Sequence, residues 1–153
     1  MVGSPYQTAK HIAKDLKFIE SLKPDMCGIG PFIPHKDTPF HNFPSGDLKL
    51  CLFLLSVIRL IYPPVLLPAT TALGTIHKDG REMGILAGAN VIMPNLSPKE
   101  VRQKYMLYNN KLSSDEESAE GLDSLKKKIN SLGYTIVTER GDIERKDIQN
   151  GNL

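Results

Sequence analysis

A proline-rich loop carries the first residues in this chain that could do chemistry. His35, Asp37 and His41 lie close together in the sequence, and imidazole and carboxylate groups are common ligands of transition metals. The same residue types also serve turn chemistry in loops rich in proline, where their side chains bond the backbone. We favour the turn interpretation, and we predict neither a metal ligand nor a catalytic residue in this chain.

Two adjacent hydroxyl groups, on Thr70 and Thr71, directly follow a short apolar run. At the end of a strand they could bind a carboxylate or a similar anion, and a hydroxyl-capped turn is an equal alternative. Arg81 and Glu82 would form a plain surface pair at a helix start, whereas a buried Arg81 would hold an anion. Anion binding is therefore one of two interpretations in both places.

The segment Gly28-Ile29-Gly30 contains two glycines of a dinucleotide-binding fingerprint. Pro31 follows, and Ile33 occupies the position of the third glycine, so the fingerprint is excluded. The glycines instead allow a ligand or another chain segment to approach the backbone. No Ser-His-Asp pattern, Walker motif or Cys-x-x-Cys pair is present.

Several large side chains have two possible roles. Tyr105 and Tyr108 are three residues apart on a predicted helix, so both can lie on one side of it. Core packing is the simplest role for them, as it is for Met26 and Met93.

Composition limits the classes of function. The 153 residues carry a net charge of +2, and basic residues are scattered among acidic ones, so no nucleic-acid-binding surface is predicted. Cys27 and Cys51 both lie in apolar runs and are expected to be small buried residues. The strongest apolar run, residues 48–62, contains Lys49 and Arg59 and is too short to span a bilayer. We expect a soluble, cytoplasmic protein without membrane or nucleic-acid partners.

Strand and helix patterns alternate along most of the chain. A capping box at Ser97, with Pro98 and Glu100, opens one predicted helix, and Thr8 and Asp47 are predicted N-caps of two others. The predicted strands cover residues 1–3, 26–33, 65–68 and 89–94, and the predicted helices cover residues 9–22, 48–62, 81–87 and 97–109. This order requires parallel strands with right-handed crossovers, in a doubly wound sheet or in part of a (β/α)8 barrel.

The chain is expected to divide into three parts. Residues 1–112 form the four βα units, and residues 113–140 form an extension with an amphipathic helix over 122–132 and a short strand over 134–138. Residues 141–153 are expected to be a disordered tail. Polar and glycine-containing sequences follow the predicted strands, whereas the opposite connections are short, so function is expected at the carboxyl ends of the strands.

These strand ends together are similar to a known family. MVGSPYQT, DMCGIGPFIPHKDTPF, LPATTALGTIHKDGRE and AGANVIMPNLSP resemble the second half of the radical S-adenosylmethionine barrel in the biotin-synthase branch. Within that branch they resemble the HydE family, the maturases of iron-iron hydrogenase. The resemblance covers essentially residues 1–140.

The resemblance implies strands 5–8 of a (β/α)8 TIM barrel whose chamber holds one 4Fe-4S cluster and S-adenosylmethionine. Reductive cleavage gives a 5′-deoxyadenosyl radical, which is used while the diiron subcluster of the hydrogenase is built from a small-molecule or small iron-complex substrate. The residues implied on the S-adenosylmethionine side are Met1, Val2, Gly3, Met26, Gly28, Ile29 and Gly30. The residues implied in the substrate chamber are Thr70, Thr71, Met93, Tyr105 and Tyr108.

The sequence departs from the family pattern in several places. The CxxxCxxC motif that binds the radical-generating cluster is absent, and Ser113, Gly121 and Ser124 stand where many members carry the cysteines of an accessory cluster. Tyr6 occupies a turn position that usually holds Gly. The arginine that biotin synthases place near Thr70 is missing, which argues against sulfur insertion.

We therefore expect the C-terminal half of a HydE-like barrel that is inactive alone, with Met1 at an interior position of the family's sequence. Its expected partners are the missing N-terminal half-barrel and other hydrogenase maturation proteins. The alternatives are a self-pairing or stand-alone half-barrel that binds small anions, and part of a sister enzyme such as methylornithine synthase or biotin synthase.

Overall fold

The computed structural model describes residues 1–94, 122–137 and 141–143. Helices account for most of the regular structure in these ranges. They are α1 (Ala9–Leu22), α2 (Leu48–Ile61), α3 (Thr71–Ile76), α4 (Gly80–Leu86) and α5 (Leu122–Ser131).

Helix α1 begins and ends as the sequence predicts. The Thr8 hydroxyl accepts a hydrogen bond from the backbone N–H of His11, and Nδ1 of His11 accepts one from the backbone N–H of Thr8. Histidine thus takes the place of the glutamate that usually completes a capping box. Lys23 adopts a left-handed conformation (φ 50°) directly before Pro24, and this ends the helix.

Helix α2 supplies most of the core. Its predicted N-cap is confirmed, because Asp47 Oδ1 accepts a hydrogen bond of 2.8 Å from the Leu50 N–H. The helix ends one residue before the predicted limit, since Pro63 and Pro64 follow and cannot continue it. Its buried side chains, spaced three and four residues apart on one face, are Cys51, Leu54, Leu55 and Ile58.

The predicted strands are present only as isolated parallel bridges in the described part of the chain. Val2 pairs with Pro31, Met26 with Leu66, and Pro68 with Val91. Each predicted strand is thus bridged to the next one in chain order. The predicted strands were too long because the bridge between Met26 and Leu66 cannot continue into a longer ladder, since Pro68 and Pro31 have no N–H to donate to the facing segment. We call residues 1–3, 26–32, 65–69 and 90–93 the first to fourth extended segments.

Other predictions differ from the structure or lie outside it. Helix α3 occupies a stretch that was predicted to be a loop, and it packs against α4. The described residues 134–137 contain no strand, although one was predicted over 134–138. The predicted capping box at Ser97 lies outside the described residues.

The extended segments separate two faces. Side chains that alternate along the segments, among them Val2, Ile29 and Leu67, pack into the core formed with the helices. The opposite, open face carries methionines with high exposure: Met1 is 78% exposed, Met26 45% and Met93 53%. Among the described residues, the helices are too short or too polar to cross a membrane.

Candidate functional site

The second extended segment presents little side-chain bulk on the open face. Cys27 and Ile29 pack against the core, so Met26, Gly28 and Gly30 alternate onto the opposite face. A Cβ atom added to Gly28 would meet no other atom within 4 Å. The backbone is therefore accessible there.

The Thr70 side chain lies against Gly30 on the neighbouring segment. A Cβ atom added to Gly30 would lie 2.6 Å from Thr70 Oγ1, closer than real Cβ contacts allow. Thr70 is the N-cap of α3, yet its side chain makes no capping hydrogen bond. Its Oγ1 atom is buried and has no hydrogen-bond partner among the described residues. A buried hydroxyl without a partner is unusual.

The remaining predicted chamber residues are placed as follows. Thr71 is the half-buried first residue of α3, and its carbonyl accepts a hydrogen bond from the Thr75 hydroxyl. Met93 is exposed, and the guanidinium group of Arg81 lies 3.5 Å from its carbonyl oxygen. Tyr105 and Tyr108 lie outside the described residues.

The first extended segment is held by a side chain that the sequence did not single out. Gln7 Oε1 accepts a hydrogen bond of 2.7 Å from the Gly3 N–H, and Gln7 Nε2 donates one of 3.1 Å to the Met1 carbonyl. Val2 is buried in the core, and its N–H donates to the Gly30 carbonyl at 2.9 Å. The segment therefore offers backbone and the Met1 side chain to the open face.

The proline-rich loop that carries His35, Asp37 and His41 uses these side chains in turns. His35 Nδ1 accepts a hydrogen bond from the Asp37 N–H and lies 3.7 Å from the Asp37 carboxylate. His41 Nδ1 lies 3.1 Å from the Thr38 carbonyl, to which it donates. No group of three histidine, cysteine or acidic side chains in the described ranges could hold a metal ion.

The cysteines do not fit an iron-sulfur cluster. The chain contains only Cys27 and Cys51, fewer than the three cysteines of a CxxxCxxC motif and fewer than the four thiolates that usually hold such clusters. Burial raises the pKa of the Cys27 thiol, and burial raises the pKa of Cys51 to about 11. Both groups are therefore neutral thiols near pH 7. Ser124, which the resemblance places at an accessory-cluster position, is an exposed residue of α5.

Arg59 was not predicted to have any role beyond interrupting an apolar run. Its side chain donates hydrogen bonds to the carbonyl oxygens of Gly88, Pro63 and Val65, and burial lowers the pKa of its guanidinium group. Pro63 and Gly88 lie just before the third and fourth extended segments, and Val65 is the first residue of the third. Arg59 therefore fixes the ends of the segments opposite to Thr70 and Met93.

Comparison with known proteins identifies relatives along most of the chain. The chain is 45% identical over 133 residues to the FeFe hydrogenase maturase subunit HydE of Thermotoga maritima, a match covering 87% of this chain and 38% of that protein. It is 29% identical over 120 residues to the 3-methylornithine synthase of Methanosarcina acetivorans, covering 78% of this chain and 33% of that protein. It is also 29% identical over 118 residues to the 3-methylornithine synthase of Methanosarcina barkeri, a match covering 77% of this chain and 32% of that protein.

These matches confirm the resemblance to HydE that the strand ends predicted. The chain spans about a third of the length of the curated relatives it matches. No family model matches the chain.

Proposed function

Because the chain is a relative of the HydE maturase, we propose that it is the C-terminal part of a radical S-adenosylmethionine enzyme in iron-iron hydrogenase maturation. The observation that carries this proposal is 45% identity over 87% of the chain. The open face of the extended segments, with the unpartnered Thr70 hydroxyl, supports it from the geometry.

We propose that the four extended segments are strands 5–8 of a (β/α)8 barrel. The three parallel bridges join them in chain order, as neighbouring strands of such a barrel would be joined. Four strands do not close a barrel, and their inner face would be covered by the missing N-terminal half. The exposed methionines of the open face would then line the chamber.

The first and second segments are the proposed S-adenosylmethionine side. Gly28 and Gly30 leave backbone free of side chains for the cosubstrate to approach. Val2 and Ile29 would contribute only their main chain, since their side chains pack into the core. Met1, Gly3 and Met26 complete the proposed surface.

The third and fourth segments are the proposed substrate side. The Thr70 hydroxyl can donate a hydrogen bond to a carboxylate or a similar anion on a small-molecule or iron-complex substrate. Thr71 and Met93 would flank it, and Tyr105 and Tyr108 are proposed to close the chamber. Because Thr70 Oγ1 is buried, its side chain would have to turn towards the chamber to make such a bond.

In the complete protein, bound S-adenosylmethionine and one 4Fe-4S cluster would supply the 5′-deoxyadenosyl radical. The two thiols of this chain are too few to hold that cluster, so the chain alone is expected to be inactive. The test is anaerobic reconstitution of the chain with iron, sulfide, reductant and S-adenosylmethionine. We expect no 5′-deoxyadenosine, and its formation would show that the cluster ligands have been assigned wrongly.

Two other functions are kept as alternatives. The open face would also suit a half-barrel that pairs with a second copy and binds a small anion; light scattering would then show a discrete dimer.

The 3-methylornithine synthases at 29% identity favour a sister enzyme with the same radical chemistry and a different substrate. In either enzyme we propose a cytoplasmic protein, and for the maturase we propose other hydrogenase maturation proteins as partners.

A further inference from the structure

Four aromatic rings form a continuous row at the carboxyl ends of the first two extended segments. The ring centroids of Phe32 and Phe40 are 6.4 Å apart, those of Phe40 and Phe43 are 5.6 Å apart, and those of Phe43 and Tyr6 are 5.6 Å apart. Each pair is arranged edge to face, the geometry that aromatic rings prefer. We call these four residues the aromatic row.

The aromatic row joins two loops that are distant in sequence. Tyr6 belongs to the first loop (residues 4–7), and Phe40 and Phe43 belong to the second loop (residues 34–46). Phe32 is buried at the end of the second segment. Contacts along the row thus connect the end of the second segment, through the second loop, to the first loop, which follows the first segment.

The backbone holds the far end of the second loop against the same place. The Gly46 N–H donates to the Phe32 carbonyl at 2.8 Å, and the Phe32 N–H donates to the Val2 carbonyl at 2.8 Å. A Cβ atom on Gly46 would lie 2.1 Å from the Val2 oxygen, so only glycine allows this approach. The second loop therefore rests directly on the bridge between the first two segments.

Tyr6 adopts an unfavourable backbone conformation at the end of the row. Its φ of 65° is left-handed, which strains a residue with a Cβ atom, and the residue is 79% exposed. Its ring contacts Phe43, and this contact offsets the strain of the turn. The turn in which Tyr6 lies also contains Gln7, which binds the Gly3 N–H.

We propose that the aromatic row couples the first and second loops into one rigid rim. Phe43 is then a positioning residue for the main chain of Gly3 and Gly30. That these residues face S-adenosylmethionine rests on the proposed function, whereas the coupling of the loops does not.

The coupling is tested by amide hydrogen exchange on the full 153-residue chain. Phe43→Ala should speed exchange at the Gly46 N–H and also at the Gly3 N–H, by about two- to tenfold, the range expected from an aromatic pair. Phe43→Tyr keeps the ring and should restore slow exchange. Phe18→Ala removes the same ring from an exposed position on α1 and should leave both amides unchanged.

Unchanged exchange at Gly3 in folded Phe43→Ala would overturn the coupling. If Phe43→Ala does not fold, Tyr6→Gly decides the question, because it removes the other ring and relieves the backbone strain. Tyr6→Gly must then speed exchange at the Gly46 N–H, and an unchanged rate there would overturn the proposal.

The positioning role is tested separately by titrating S-adenosylmethionine into the same variants and following amide shifts. Phe43→Ala should weaken binding by about two- to tenfold, as its loops open more often, and Phe43→Tyr should recover it. Equal affinity in the wild type and in Phe43→Ala would overturn the positioning role. If the wild-type chain alone binds no S-adenosylmethionine, the same titration is made with a chimaera in which this chain replaces the matching region of Thermotoga maritima HydE. Equal affinity with and without the Phe43→Ala change would there overturn the positioning role, and hydrogen exchange decides separately whether the loops are coupled.

Discussion

The contact between Gly30 and Thr70 gives a sharp prediction for the substitution Gly30→Ala. The new methyl group would lie 2.6 Å from Thr70 Oγ1, while Thr70 Cβ and Cγ2 would be at 3.5 and 3.6 Å. One atom therefore causes the whole clash. Moving the Thr70 side chain to relieve the clash should lower the free energy of unfolding by about 1–3 kcal/mol. The lower entropy of alanine in the unfolded chain should raise it by about 0.4–1 kcal/mol.

The assay is urea unfolding of the full chain, with Gly28→Ala as the matched control. Gly28 lies two residues earlier on the same face, and a methyl group there meets nothing. We expect Gly30→Ala to lower the free energy of unfolding by about 1–2 kcal/mol and Gly28→Ala to leave it equal or slightly higher.

The cause of the loss is identified by combining Gly30→Ala with changes at Thr70. Thr70→Ala removes Oγ1, so the double variant should recover about 1–2 kcal/mol relative to the sum of the single changes. Thr70→Val keeps a group of similar size and should recover nothing. Additive effects of Gly30→Ala and Thr70→Ala, within about 0.5 kcal/mol, would refute the close contact.

Three further changes test other parts of the structure. Arg59→Met should lower the free energy of unfolding by about 2–3 kcal/mol in urea, because the Gly88 and Val65 carbonyls lose a charged donor. Burial raises the pKa of Cys51 from 9.0 to about 11. The contribution of Cys51 to the free energy of unfolding should therefore be constant below pH 9 and fall by on the order of 2 kcal/mol towards pH 11, because the thiol ionises first in the unfolded chain. Cys51→Ala should lack this decrease. Tyr6→Gly should change stability by less than about 0.5 kcal/mol, whereas Tyr6→Ala, which keeps the strain and loses the ring, should cost about 1 kcal/mol in thermal unfolding.

The positions of α1 and α2 were predicted well because their causes are local. Thr8 and Asp47 each bond a backbone N–H three residues ahead, and the apolar spacing of α2 buries one face whatever it packs against. The resemblance to HydE was also available from the sequence alone, since the quoted strand ends are contiguous stretches.

The site could be predicted only in part because its contacts join distant residues. Thr70 was selected as a candidate, but nothing in the sequence indicates that its hydroxyl lies against Gly30, forty residues earlier. The role of Gln7 depends on a turn shape that begins at Gly3. The number of residues over which two extended segments pair depends on where prolines lie in both of them. The alternation of apolar residues within one predicted strand therefore does not determine it.

The most direct test of the central proposal is a chimaera in which this chain replaces the matching 133-residue region of Thermotoga maritima HydE. The chimaera and the chain alone would be reconstituted anaerobically with iron, sulfide, reductant and S-adenosylmethionine, and 5′-deoxyadenosine would be measured. We predict that the chimaera forms 5′-deoxyadenosine and that the chain alone does not. A folded chimaera that carries the 4Fe-4S cluster and yields none would contradict the proposal that this chain is the C-terminal half of such a barrel.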